Sequence, residues 1–396
     1  MNDARKERAL VWLTEPRFRG ACKVFLHKRV NRAQLRSFGE QIIPKCLHVL
    51  LLEHAHRQIR PRSQKLQKQF PCQPETKQRT NLMSINASKP TVLVLGSTGQ
   101  VGQLVVKELA NSQDVDLRLS SRRKEEVERL RSEGKDAVHL DLDDPKTFGL
   151  ALAGVDRVLL LTGYTVAMLA QSKTFVDAAK KAAVEHIVHV GVFAEWDCTD
   201  PHFTWHQLVE RYIETSGMAW THLHPNMFLE NLLSFFAPKG DILTIFWENQ
   251  RTGWIAASDI AAVAAKVLKD GPKKHNRQNY WLSTEVLDGP EVAAILSEVT
   301  GRDIKCDLQG ADDFEALFTS SDIQVESWYA KGGVEFVRQV VDGRMGNIGS
   351  VRDDVSNILG RPALTLREWA TQHRDEFIAA AKSAKQSSTP RHQQRA

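Results

Sequence analysis

Thr91 to Leu95 reads TVLVL, an apolar run with no polar face, and the pattern changes period directly after it. Val101, Leu104, Val105 and Leu109 recur at the three- and four-residue spacing of a helix face. The exchange of a short apolar run for a helical stripe then repeats. It predicts strands over Val115 to Leu119, Ala137 to Leu140, Val155 to Leu161 and His186 to Val190. Between them fall helices at KEEVERLRSEG, at Pro145 to Leu152, and at Thr165 to Ala183 with Val166, Leu169, Val176 and Ala179 on one side. Strands without a polar face are buried on both sides. The alternation therefore predicts an α/β protein whose parallel sheet is covered by helices on both faces. Further along, a helix is expected around Thr204 to Ser216, a strand at Thr221 to His224, and an Ala-rich helix over Ala257 to Lys269 that packs back on the sheet. Asp259 in its first turn reads as a cap or dipole partner. Tyr280 to Ser283 is strand-like, Pro290 to Thr300 is an amphipathic helix stopped at Gly301, and 311–343 and 352–384 are mostly helical.

The pattern divides the chain into a sheet domain over 90–246, a smaller, mostly helical C-terminal α+β substrate domain over 247–386, and a polar tail at 387–396. Residues 1–89 stand apart as a basic extension, expected to be disordered. They carry 19 Lys and Arg against 6 Asp and Glu, whereas the remainder carries 34 against 42. A nucleic-acid reading of the net charge of +5 would rest on the extension alone. No aromatic or base-reading pattern interleaves its charges, so nucleic acid is not an expected partner. A mitochondrial-type targeting segment is poor in acids, and Asp3, Glu7 and Glu15 argue against one. Met83 opens MSINASKPTVLVLG, which reads as an enzyme's own start. The five cysteines, at 22, 46, 72, 198 and 306, are scattered without a Cys-x-x-Cys, which favours a reducing, cytoplasmic location over a disulfide scaffold. Cys46, His48, His54 and His56 lie close together but lack ligand spacing. No apolar run reaches the ~18–20 residues that cross a bilayer, so no membrane association is expected.

The chemistry begins after the first strand. Gly96-Ser97-Thr98-Gly99-Gln100-Val101-Gly102 joins it to the first helix. Strand, glycine turn and helix in this order suit a dinucleotide: Gly96 for the tight turn, Gly99 for backbone approach to the pyrophosphate, Gly102 for close helix packing. The helix N-terminus attracts the phosphate charge. This makes the expected sheet Rossmann-type. The second strand ends in Ser120-Ser121-Arg122-Arg123, with no acid to hold a ribose 2′-hydroxyl. Hydroxyls and guanidinium suit a 2′-phosphate, so NADPH is the expected cofactor and NADH the weaker ligand. Asp141 and Leu142, after the third strand, are expected to edge the adenine pocket. Ligands sit at the carboxyl ends of such strands, which makes Thr162-Gly163-Tyr164 and Gly191-Val192-Phe193 expected neighbours of the nicotinamide.

These segments together resemble a known family. GSTGQVG, SSRR, ALAGVDRVLLLTG, AAKKAAVEHIVHVG and ERYIETSGMAWTHLHPNMFLENLL look like the NmrA-like group of atypical short-chain dehydrogenases/reductases. The likeness continues through GWIAASDIAAVAAKVL, NYWLSTEVLDGPEVAAILSEVTGR and NILGRPALTLREWATQH, covering roughly Pro90 to Phe377, and is nearest in look to the NADPH:quinone-oxidoreductase-like branch. It implies a Rossmann domain with a small substrate domain and hydride transfer from NADPH to a small electron-poor acceptor such as a quinone. It also implies an alternative, because the family includes non-catalytic dinucleotide sensors that bind a regulatory protein partner; a homodimer is a further expectation.

The wider superfamily uses a Ser near the end of the fifth strand and a Tyr-x-x-x-Lys on the next helix. Here the strand ends in Val190-Gly191-Val192 and no Tyr-x-x-x-Lys occurs. Some members are similar in carrying Lys or His at the position of His206, with an acid at Glu210. Residues at i and i+4 share a helix face, so Glu210 is expected to orient His206 and raise its pKa, with His206 holding the nicotinamide ribose or giving a proton. Tyr164 is the rival donor. Phe193, Asn226 and Phe228 are expected to wall the acceptor pocket, Asn226 through a polar contact, and Trp196 to join them. His202, His206, His222 and His224 match no compact metal spacing, and no metal is expected.

Overall fold

The computed structural model describes residues 89–163, 165–195, 197–320 and 326–387. The extension, Met83 and its neighbours, and the cluster from Cys46 to His56 lie outside the described residues, as does the tail from 388 onward.

Seven strands form one parallel sheet. They are β1 (Thr91–Val94), β2 (Asp116–Ser121), β3 (Ala137–His139), β4 (Arg157–Leu160), β5 (His186–Val190), β6 (Ala219–Pro225) and β10 (Gln278–Leu282). Their order is β10-β6-β5-β4-β1-β2-β3. The order reverses between β1 and β4, and a crevice for ligands opens there at the carboxyl ends. Strand β1 shows why both faces must be covered. Val92 and Val94 enter one apolar core with α1 (Gln100–Leu109), while Leu93 enters another with α4 (Met168–Lys181). Side chains alternate across a strand, so one apolar run feeds two layers. Helices α2 (Lys124–Ser132) and α3 (Phe148–Leu152) complete the early βα units. Helix α5 (Pro201–Thr215) follows β5 and packs on β6.

Residues 227–255, with β7 (Met227–Phe228), β8 (Ile242–Ile245) and β9 (Thr252–Ile255), build most of their core with C-terminal elements, while Phe228 and Ile255 join the core on the sheet. The chain then returns: α6 (Ala257–Asp270) covers the sheet beside α1, and β10 pairs with β6. Strand β11 (Glu285–Leu287) pairs with β9, and β12 (Lys305–Leu308) pairs with β8. The C-terminal lobe is therefore mostly helical around two small sheets, with Trp247, Trp254 and Trp369 buried in its core. Asp259 does more than face a dipole. Its Oδ1 pairs with Arg361 at 2.8 Å and its Oδ2 accepts the Leu364 N–H at 2.7 Å, tying the late segment 361–364 to α6. Among the described residues, no helix is long and apolar enough to cross a membrane.

Candidate functional site

The glycine turn is built as its spacing requires. Gly96 has φ +59°, a left-handed conformation that side chains disfavour. The Gly99 N–H donates to the Gly96 carbonyl at 2.8 Å and closes the turn. Gly99 is the N-cap of α1, and no side chain caps the helix, so first-turn N–H groups are left for a ligand. A Cβ at Gly102 would overlap the Gly96 carbonyl oxygen and come within 2.7 Å of its carbon. This cradle holds only without side chains, which fits the close approach of a pyrophosphate.

A cleft of about 580 Å³ runs from this turn over the ends of β2, β3 and β4. It brings together Gly96, Thr98, Gly99, Ser121, Arg122, Arg123, Asp141, Leu142 and Gly163. Arg122 and Arg123 are exposed, and neither enters an ion pair with the described residues. Ser121 Oγ accepts the Arg123 N–H at 3.2 Å, which sets the bend between strand and α2. Other residues expected at the cofactor do not turn a side chain to this cleft. Ser97 is buried and its hydroxyl donates to the Ser120 carbonyl at 2.8 Å. Val101 and Gly102 are buried in the helix–sheet packing. Thr162 is half-buried and off the cleft wall. Gln100 faces away from the cleft into a second cavity.

That second cavity has a volume of about 420 Å³ and lies beyond the end of β5. Gly191, Val192, Phe193, Asn226 and Phe228 line it. The rest of its wall was not foreseen: Phe203, Phe235, Phe236, Phe246, Trp247, Phe314 and Phe336 converge there from five separated segments. Asn226 needs correcting. Its amide donates to Ser283 Oγ at 3.2 Å and to the Ile348 carbonyl at 2.9 Å, and its Oδ1 accepts the Met227 N–H at 2.9 Å. It ties the lobes of the wall together and has no donor left for an acceptor molecule. Asp200 was also missed, although Asp-Pro before a helical run is a cap signal. It lines the cavity and caps α5, with Oδ1 accepting the Phe203 N–H at 2.9 Å. Its carboxyl is buried, and burial raises it to about 6 although the Phe203 and His202 N–H groups act to lower it.

His206 and Glu210 share a face of α5, but that face packs on the sheet. His206 is 3% exposed and lines neither the cleft nor the cavity. Burial holds its pKa well below 6.5, opposite to the expected rise. Glu210 turns to other rings: its Oε1 lies 3.6 Å from His224 Nδ1 and 4.0 Å from His189 Nδ1. Burial raises its carboxyl to about 8. A Cβ at Gly191 would stand 2.7 Å from Glu210 Oε1, so the glutamate occupies the space that a Ser at this strand end would need. Tyr164 and Trp196 lie outside the described residues.

Comparison with known proteins shows the family and the fold. The NmrA-like family matches residues 88–325. An NAD(P)H azoreductase of Xenophilus azovorans is 30% identical over 301 residues, which span 73% of this chain and 100% of that protein. Two solved structures share the fold at 22% identity. The triphenylmethane reductase of Citrobacter sp. complexed with NADP(H) has a TM-score of 0.61 and covers 72% of this chain and 99% of its own. The NADPH-dependent quinone oxidoreductase of Escherichia coli complexed with NADPH has a TM-score of 0.62, with 71% and 99% covered. With its glycine turn, a second strand that ends without an acid, and its parallel sheet, this chain belongs to the NmrA-like family.

Proposed function

We propose that this chain is an NADPH-dependent reductase whose acceptor is a flat, apolar, electron-poor molecule, with quinones as the leading class. One observation carries the reading. The aromatic cavity begins where the dinucleotide cleft ends, with Gly99 on the cleft wall and Gln100, the next residue, on the cavity wall. A cofactor laid across the glycine turn thus points toward a chamber suited to an aromatic guest. The relatives reduce azo compounds, triphenylmethane dyes and quinones by their names, all conjugated and electron-poor.

Bound NADPH supplies the hydride. The protein holds and orients. The first-turn N–H groups of α1 receive the pyrophosphate, Arg122 and Arg123 the 2′-phosphate, Asp141 and Leu142 the adenine edge, and Gly163 the approach to the nicotinamide. Phe193 and Phe228 flank the acceptor. Asp200 replaces His206 as the residue that holds a proton against the cavity, at Oδ2.

Two measurements test this. Purified protein should oxidise NADPH with a quinone or azo-dye panel; NADPH binding without turnover on any acceptor would instead support the dinucleotide-sensor reading. NADPH should also bind at least tenfold tighter than NADH. A charge-assisted hydrogen bond is worth ~1.5–3 kcal/mol, or roughly 10- to 150-fold. Arg122→Ala with Arg123→Ala should remove most of that preference in a fluorescence titration. Equal affinities in the unmodified protein would reject the 2′-phosphate assignment.

A further inference from the structure

Behind the cavity wall, between α5 and the sheet, four histidines and one glutamate are packed out of solvent. His189 and His222 are register partners on β5 and β6, with ring centroids 5.5 Å apart. Neither ring is exposed, and none of the four nitrogens of the two rings has a hydrogen-bond partner. Glu210 enters from α5 and is itself 6% exposed. One donor atom from each of His189, Glu210 and His222 lies within 4.8 Å of the other two. Buried polar atoms are satisfied in folded proteins, and a shared unsatisfied centre asks for something that satisfies all of its atoms at once.

We infer that His189, His222 and Glu210 form a binding site for one divalent transition-metal ion, zinc being the best fit, that clamps α5 to β5 and β6. Two imidazoles and one carboxylate are a ligand set that zinc takes, with the fourth position open. Imidazole donors disfavour magnesium and calcium, which prefer oxygen. Bonds of ~2.0–2.1 Å in a tetrahedron place donors about 3.4 Å apart. Side-chain rotations that draw the three atoms together by one ångström or so reach that spacing. The surroundings suit the role. His222 is stacked on Trp220 at 4.6 Å, which fixes its ring plane, and Glu214 Oε1 stands 3.8 Å from its Nε2. His224 is already engaged by the Val192 carbonyl and Asn279 Oδ1 and is left out of the set.

The spacing of His202, His206, His222 and His224 in sequence did not announce this site, because only His222 of the four belongs to it, while His189 comes from β5 and Glu210 from α5. The site is separate from the hydride chemistry, so its test does not use turnover. Full-length protein without a histidine tag, purified without chelator, should carry about one zinc per chain by mass spectrometry of the metal. Cobalt(II) added to chelator-treated protein should give the strong visible bands of a low-coordinate ion. Thiolate charge-transfer bands should be missing, which separates this site from binding by the cysteines at 22, 46 and 72. His189→Leu with His222→Leu should lose both the zinc and the visible bands while still binding NADPH. Should that double variant not fold, Glu210→Gln, which keeps the volume, should weaken cobalt binding roughly tenfold or more. Wild-type protein that holds no more zinc than these variants, or a cobalt spectrum that is weak and octahedral, overturns the proposal.

Discussion

Gly102→Ala should abolish measurable NADPH binding while the far-ultraviolet dichroism stays native-like. The added methyl would meet backbone, not a side chain that can swing away: the Gly96 carbonyl carbon would lie 2.7 Å from it and Ser97 Cα 3.2 Å. Helix and turn must therefore separate. Overpacking of this kind costs about 1–3 kcal/mol, which predicts a fall of several degrees in Tm but not loss of the fold. Binding suffers more, because the first-turn N–H groups of α1 and the turn must together face one pyrophosphate. A misplacement of ~1 Å in such a cradle costs on the order of 10²-fold. Gly99→Ala is the informative comparison. Its Cβ would lie 3.2 Å from the Gly96 oxygen, tight but reachable by a small shift. It should leave Tm nearly unchanged and still weaken binding, since the methyl stands at the cleft. Normal NADPH affinity in Gly102→Ala would mean that the cofactor does not lie on this turn.

The order of those two effects was not readable from the glycine spacing, which gave both residues roles but no distances. Other features were fully written in the chain. The two histidines of HIVHV fall on opposite faces, so neither face alternates as a half-exposed strand would, and β5 is buried at every residue. The alternation from β1 to β5 left one topology class, and SSRR told that the second strand ends without an acid. What stayed hidden depends on convergence. Phe203, Phe246, Phe314 and Phe336 come from different elements, and no local period relates them. Strands β7, β8, β9 and β11 have two to four residues each, too few to show alternation. For His206 and Glu210 the helical spacing correctly put both on one face but could not say what that face meets. It meets β5 and β6, where Glu210 finds His189 and His224 instead of His206. The same burial that removes His206 from the cavity leaves Asp200, at the start of that helix, on its wall.

Asp200→Asn should lower kcat about 10²-fold at pH 5.5, within the range for a positioned general acid, and leave NADPH affinity unchanged. The asparagine retains the cap: it is as good an N-cap as aspartate, and its Oδ1 still accepts the Phe203 N–H. What it loses is the proton held against the cavity. The carboxyl, raised to about 6 by burial, is protonated below that pH and ionised above it. Turnover in the parent should therefore fall as pH rises through 6, while the variant stays flat and low. Stability gives an independent reading of the same group. The folded pKa lies above the ordinary value near 3.9, so the folded state binds the proton more tightly than the unfolded chain. The stability this contributes is present at pH 4 and is lost between pH 4 and 6. Asparagine does not titrate, so the variant should match the parent near pH 4 and exceed it at pH 7. The gain is at most about 3 kcal/mol at 1.36 kcal/mol per unit of pKa. A variant that is more stable at pH 7 yet turns over quinone at the parent's rate would confirm the buried charge and move the proton source elsewhere. If stability and kcat are both unchanged, Asp200 is only the cap of its helix.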